Sequence, residues 1–241
     1  MLMIIGTSAC HIIMGDEEKS VPGISGVVED GVIEGYFGYE AGQACVGDHF
    51  EWFVKNCVPA SYTAEAEKQG ISVHKYLRDK AQMLKPGESG LIALDWWNGN
   101  RCVLSNGNLS GLLLGMTLQT KPEEIYRAII EATAFGTKVI IDNYDKNGVK
   151  IEKLYAAGGI AEKDEMMMQI YADVCNREIA ISGSANACAL GSAMFAAVGS
   201  GYFADIDKAS DVIARVKDKK YTPVQENVEA YEKLYEEYIL L

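Results

Sequence analysis

The sequence predicts an α/β domain built on one mixed sheet with helices on both faces. Two features of the pattern predict it. Over residues 2–40, short apolar or β-prone runs alternate with strong turn signals. Further along the chain, apolar stripes at three- and four-residue spacing alternate with short strand-like runs. A chain of 241 residues with 49 % hydrophobic and 23 % charged residues can fill a sizeable core.

Taken in order, strands are expected at Leu2–Ile5, Cys10–Met14, Gly26–Glu29 and Val32–Tyr39, separated by Gly6-Thr7-Ser8, Gly15-Asp16 and Asp30-Gly31. Asp30-Gly31 between two apolar runs is a short hairpin signal. From Gly42 to Cys57 the period turns helical through Val46, Phe50, Phe53 and Val54. Residues 61–84 read as one or two charged helices forming a surface insertion. Leu91–Leu94 is a short strand that leads into the aromatic loop Asp95-Trp96-Trp97-Asn98-Gly99-Asn100. Pro122 with Glu123 and Glu124 opens a long helix, since proline needs no N–H partner there and acids favour the positive end of the helix dipole. Its stripe (Ile125, Ile129, Ala132, Phe135, Val139, Ile140) runs to about Asp145, and Asn147-Gly148 ends it. Then come a strand at Lys153–Ala157, the pair Gly158-Gly159, a helix over Lys163–Cys175, a strand at Glu178–Ile181 and a small-residue helix over Ala187–Val198. Residues 205–241 read as a polar helical tail. Three meandering strands followed by α-β-α-β-α is the order of the ribonuclease H-like core of actin, the heat-shock ATPases and the sugar kinases, an analogy of order alone.

Net charge is 22 − 34 = −12, which argues against a nucleic-acid partner. It leaves a nucleotide open, because backbone amides hold phosphates without a basic surface. No run approaches the length of a membrane span, and Met1–Ile5 lacks the basic flank of a signal peptide, so a cytoplasmic location is expected. Six cysteines without C-x-x-C spacing, and three histidines, suggest reduced, mostly buried thiols and no metal cluster. The chain opens within a strand, as a piece cut between domains would.

Four motifs carry chemistry. Gly6-Thr7-Ser8 between two strands combines close backbone approach with hydroxyls and free N–H groups, as a phosphate-holding hairpin needs; alone it is a tight turn. Strand, Gly158-Gly159, helix lets a base or phosphate lie on bare backbone, although the G-x-G-x-x-G spacing of a dinucleotide site is absent. Cys188–Ala197 is rich in small residues, which suits tight packing on the sheet. Glu40-Ala41-Gly42-Gln43 sets a carboxylate and an amide at a strand-to-helix corner, where they could bind sugar hydroxyls or face solvent.

Ser110–Met116 (SGLLLGM) followed by Pro122–Ala132 (PEEIYRAIIEA) resembles the second signature of the FGGY family of carbohydrate kinases. MIIGTSACH (3–11), VPGISG (21–26), GYFGYEAGQACVG (35–47), LDWWNGNR (94–101), YAAGGIAEK (155–163) and MQIYAD (168–173) are similar to a ketopentose-phosphorylating branch of that family. The resemblance implies two ribonuclease H-like domains closing over ATP, Mg2+ and a sugar. Residues 1–241 would be the C-terminal, nucleotide-binding domain, with the N-terminal sugar-binding domain absent. Gly6, Thr7 and Ser8 would contact the β- and γ-phosphates, and Gly158 and Gly159 the adenosine. Lys163 takes the following position, where the wider family often has Asn or Ser; Asn98 and Gly99 fall in the loop bordering the nucleotide. Glu40 would face the ketopentose. The implied reaction moves the γ-phosphoryl of ATP to the sugar's terminal hydroxyl. The acid that accepts the hydroxyl proton is expected upstream of Met1, so no catalytic or metal-ligating residue is assigned, and Asp48 and Asp95 read as a helix-face carboxylate and a loop acid. The isolated chain is expected to bind nucleotide weakly and to phosphorylate nothing. Other readings are a kinase for xylulose, glycerol or a polyol, and a non-catalytic regulatory module; self-association into a homo-oligomer stays open.

Overall fold

Turn chemistry sets the first strands. In a computed structural model, which describes residues 1–241, β1 (Leu2–Ile5) and β2 (Ala9–Gly15) form an antiparallel hairpin around Gly6-Thr7-Ser8, in register from Leu2↔Ile12 to Ile5↔Ala9. β3 (Gly26–Glu29) and β2 both pair antiparallel with β4 (Phe37–Gln43). The strand expected at Val32–Tyr39 is thus displaced. Asp30 takes a left-handed φ of 57° and its Oδ1 accepts the Gly35 N–H at 2.7 Å, so the connection is a long loop and no two-residue hairpin. Gly42 and Gln43 stay in the strand because they pair with Cys10 and Ala9, and α1 (Gly47–Cys57) starts later than its periodicity suggests.

Residues 61–84 form helices whose inner faces pack on the rest of the domain. α2 (Ala60–Lys68) and α3 (Val73–Ala81) bury Ala66, Leu77 and Ala81. The Tyr62 hydroxyl donates to Glu123 Oε2 at 2.7 Å, and Arg78 pairs with Asp164 at 3.1 Å. Charged faces on these helices disguise a third layer over the long helix. A small antiparallel pair follows, β5 (Ile92–Leu94) with β6 (Leu112–Leu114), the latter too short to register as a strand beforehand.

α4 (Pro122–Lys146) has the expected bounds within a residue or two; Glu124 Oε2 accepts the Lys121 N–H at 2.6 Å and closes its first turn. β7 (Leu154–Ala157) lies parallel to β1. The helix expected over 163–175 is α6 (Glu165–Cys175), and a separate short helix, α5 (Gly159–Lys163), precedes it. Asp164 breaks them with non-helical dihedrals while its carboxylate accepts the Met167 N–H at 3.0 Å. β8 (Ile179–Ser182) runs parallel to β7, and α7 (Ala187–Gly199) and α8 (Ile206–Ile213) follow. The tail is not purely helical: β9 (Val216–Tyr221) pairs antiparallel with β8 before α9 (Gln225–Leu240). Its sequence VKDKKY hides a strand because an edge strand carries lysines that discourage further pairing.

The seven-stranded sheet has the order β3-β4-β2-β1-β7-β8-β9. Alternate residues of the strands (Met3, Ile5, Ile13, Tyr39, Leu154, Ala156) point into the core with Ile129, Ile140, Met168 and Tyr171 of α4 and α6. α9 closes this side, its Tyr231 and Tyr238 rings against Phe135 at 6.1 and 5.3 Å. α7 breaks the pattern. It is apolar along its whole length, yet none of its residues is buried, and Phe195 is 49 % exposed. Tight packing of its small residues on the sheet is not found; its main neighbour is α8. Cys45, Cys102 and Cys175 are buried, while Cys57 and Cys188 are exposed, so the thiols are less buried than expected. No helix is long and apolar enough to cross a membrane.

Candidate functional site

β1 and β7 run parallel, so the turn after β1 and the glycine pair after β7 share one edge of the sheet. The start of α1 is tied to the same edge. Gly6 O accepts the Gly47 N–H at 2.9 Å, and Thr7 O accepts those of Val46 at 2.8 Å and Asp48 at 3.3 Å. Glycines here divide by function. A Cβ on Gly47 would come within 2.6 Å of Gly6 O; one on Gly158, whose φ is +101°, would collide with the Ile5 carbonyl. Those two exist so that backbones can touch. Nothing lies within 4 Å of a Cβ on Gly159, and nothing nearer than 4.0 Å on Gly6, so these face open space. No acceptor in the chain takes the N–H of Thr7 or Ser8. Adjacent free N–H groups beside two hydroxyls make a cradle for an anion.

A cleft of about 260 Å³ adjoins this edge, and Gly159 and Lys163 line it together. Phe50 of α1, Tyr126 of α4, and His74 and Arg78 of α3 complete its walls, with the Phe50 and Tyr126 rings 5.1 Å apart. The α3 contributions were illegible because that segment reads as an insertion; a histidine and an arginine four residues apart on one helix were the available signal.

Asn98 and Gly99 are elsewhere. Asn98 lines a separate notch of about 580 Å³ on the opposite flank of α1, with Cys45, Asp48, His49, Trp52 and Trp97. Trp97 stands edge-on to Trp52 and to His49, at 5.1 and 5.0 Å. Burial pushes the His49 imidazole down to about 4, so it is neutral. Gly99 is a turn residue with φ +75°, packed on Gly107. Asp48 is exposed on α1, as a helix-face carboxylate should be, but Asp95 is buried. Gln43 Nε2 donates to Asp95 Oδ2 and to Thr133 O, both at 2.8 Å, and the Tyr238 hydroxyl donates to Oδ1 at 2.8 Å. Burial raises the Asp95 pKa while these donors pull it down. Gln43 is therefore committed to the interior and free for no sugar. Glu40 lies on the other face of β4, where Arg101 Nη2 donates to its Oε1 at 2.7 Å. Arg101 went unassigned because nothing in the sequence places it beside Glu40.

A hairpin with free N–H groups, a helix start bonded to it and an open glycine beside an aromatic cleft meet at one edge of a mixed sheet, in a domain of the actin and sugar-kinase superfold. Residues 1–200 match the model of the FGGY family of carbohydrate kinases, C-terminal domain, and the chain belongs to that family. Among curated relatives, a ribulokinase of Bacillus licheniformis is 57 % identical over 242 residues, covering 99 % of this chain and 44 % of the relative. A ribulokinase of Mycolicibacterium smegmatis is 44 % identical over 241 residues, covering 100 % of this chain and 43 % of the relative. The chain thus spans less than half the length of the curated relatives it matches. In fold, a xylulose kinase from Rhodospirillum rubrum matches with a TM-score of 0.83 at 24 % identity, over 99 % of this chain and 46 % of that one. Plasmodium falciparum glycerol kinase with ADP matches with a TM-score of 0.74 at 18 % identity, over 99 % and 46 %. No three His, Cys, Asp or Glu side chains converge to hold a metal ion.

Proposed function

We propose that this chain is the nucleotide-binding half of an ATP-dependent ribulokinase, which moves the γ-phosphoryl of ATP to the terminal hydroxyl of ribulose and gives a 5-phosphate. The observation that carries it is the meeting of the unclaimed Thr7 and Ser8 donors with the open Gly159 cleft at one sheet edge. Ribulose is favoured over other sugars by the 57 % identity to a ribulokinase along the chain.

In this reading Thr7 and Ser8 hold the β- and γ-phosphates with N–H and hydroxyl groups. Gly159 is the floor under the adenosine, Phe50 and Tyr126 its walls, and Lys163 its rim; Gly158 keeps α5 close to β1. Glu40 faces the ketose. Catalysis then rests on alignment and on donors placed before charge develops. The proton acceptor comes from the N-terminal domain, since Asp95 is bonded inside the core and Asp48 lies on an outer helix face. That domain also covers α7, whose uncharged surface needs a partner. The enzyme works where ATP is, in the cytoplasm.

Calorimetric titration of Mg-ADP into the chain, beside Gly159→Arg, tests this. A Cβ there meets nothing, so the arginine obstructs the ligand and spares the fold. Heat from the parent and none from the variant is the expected result. Absence of binding to the parent, and to a longer form with the upstream region restored, would overturn the proposal. Phosphorylation of ribulose by the full-length enzyme, and none by this chain alone, is expected in a coupled assay.

A further inference from the structure

Glu40 and Gly42 occupy the face of β4 opposite Tyr39, Ala41 and Gln43, which are buried. On that open face Arg101 Nη2 donates to Glu40 Oε1 at 2.7 Å and lies 3.8 Å from Cys10 Sγ. The guanidinium rests where Gly42 has no side chain; a Cβ there would stand 3.2 Å from Nη2. Its backbone is pinned. Asn100 exchanges N–H···O bonds with Asn106 at 2.9 and 2.8 Å, its Oδ1 accepts the Leu104 N–H at 3.0 Å, and Cys102 is 5 % exposed. Arg101 is therefore in place before any ligand arrives.

The pair keeps unused capacity. Glu40 Oε2 has no donor, and Arg101 Nε and Nη1 have no acceptor, although the two side chains are 47 % and 36 % exposed. An acceptor-only oxygen beside donor-only nitrogens complements a ligand that offers a hydroxyl next to a carbonyl oxygen. Position along the strand agrees. Gln43 pairs with Ala9 at the phosphate-turn edge and Glu40 with Ile12, so the pair lies three residues, or roughly 10 Å, from that edge. A ketopentose whose terminal hydroxyl meets the phosphate there would extend its carbonyl end toward Arg101.

Building on the ATP-dependent ketose kinase proposed above, we infer that Arg101 is a specificity-determining residue. Its guanidinium donates to the ketone oxygen of an open-chain ketose, while Glu40 accepts from the adjoining hydroxyl. The site thereby selects α-hydroxyketones over the matching polyols, whose carbonyl carbon is reduced.

The test is steady-state kinetics of the full-length enzyme with ribulose, with the pentitol derived from it and with ATP, comparing the parent with Arg101→Ala and Arg101→Lys. Arg101→Ala should raise KM for ribulose about 10- to 100-fold, the range expected for losing a charge-assisted hydrogen bond. KM for ATP should stay within about twofold, the ketose-over-pentitol ratio of kcat/KM should fall toward one, and Arg101→Lys should recover part of the ratio. A ribulose KM that moves less than about threefold overturns the inference, as does an equal loss of kcat/KM for ketose and pentitol. Should Arg101→Ala fail to fold, an unchanged ketose-over-pentitol ratio in Arg101→Lys refutes it. A parent enzyme that phosphorylates no ketopentose at all refutes the functional proposal itself, and the inference falls with it.

Discussion

Tyr238→Phe isolates one hydroxyl at the end of α9. Tyr238 is 4 % exposed, and its ring packs on Phe135 at 5.3 Å, so phenylalanine keeps the packing. What goes is the bond to Asp95 Oδ1 at 2.8 Å, which leaves one oxygen of a buried carboxylate without a donor. Hydrogen bonds to charged groups contribute about 1.5–3 kcal/mol. Taking about 2 kcal/mol, the melting midpoint of a domain this size should fall by roughly 4–8 °C. The pH dependence gives a sharper signature. Burial raises the Asp95 pKa in the folded protein above its usual 3.8, and the Tyr238 bond opposes that rise. A carboxyl with a raised folded pKa binds its proton more tightly in the native state, so acidification through that pKa adds native stability. Removing the tyrosine donor raises the folded pKa further, and the variant gains more from acid than the parent does. The deficit should be full above both folded pKa values and should shrink as pH falls through them. Urea titrations of both proteins at about pH 8 and about pH 5 measure it. No deficit at about pH 8, or a deficit that grows as pH falls, would refute the claim that an ionised Asp95 is held by Tyr238.

Three further outcomes follow from the geometry. Gly158→Ala must place a Cβ against the Ile5 carbonyl at φ +101° and should cost at least about 1–3 kcal/mol in thermal melts, whereas Gly159→Ala should be neutral or slightly stabilising. Arg127→Met removes the cation paired with Glu131, whose side chain is 4 % exposed, accepts from Arg127 Nε at 2.8 Å and is left with the Tyr231 hydroxyl at 2.9 Å. The loss should be about 3–5 kcal/mol by denaturant unfolding, largely recovered when Glu131→Leu is added. The isolated chain should self-associate through α7, and Phe195→Glu should shift it toward monomer in sedimentation velocity.

Most of the sheet is legible because its strands obey local rules. Leu2–Ile5 and Gly26–Glu29 fall at their expected bounds, and Pro122 with its acids announces α4. Failures occur where tertiary contacts override the local pattern. β9 carries edge-strand lysines, and no apolar period announces the short helix α5 before the Asp164 cap. α3 hides Leu77 beneath a charged exterior. The Gly6-Thr7-Ser8 turn and the glycine pair are readable as motifs, but not the division of work between Gly158 and Gly159. A sequence records that both are glycine; only the nearby Ile5 carbonyl makes one a packing requirement and leaves the other facing open space.

The segment Glu40-Ala41-Gly42-Gln43 shows how far register decides chemistry. Both polar residues sit at a corner that suggests a sugar site, and both could take part by residue type. Side chains alternate along a strand, so Glu40 and Gln43 must point to opposite faces. Pairing of Ala9 with Gln43 settles which is which. Gln43 turns inward to Asp95, Thr133 and Thr137, and holds the aromatic loop to α4. Glu40 turns outward to Arg101, which the same loop delivers. The inner network therefore positions the outer pair: Asp95 anchors the start of the loop in the core, and Arg101, six positions on, presents its guanidinium to the open face. A change confined to the interior, such as Tyr238→Phe, should loosen this loop and with it the Glu40–Arg101 pair, leaving the Gly159 cleft on the other flank of α1 intact.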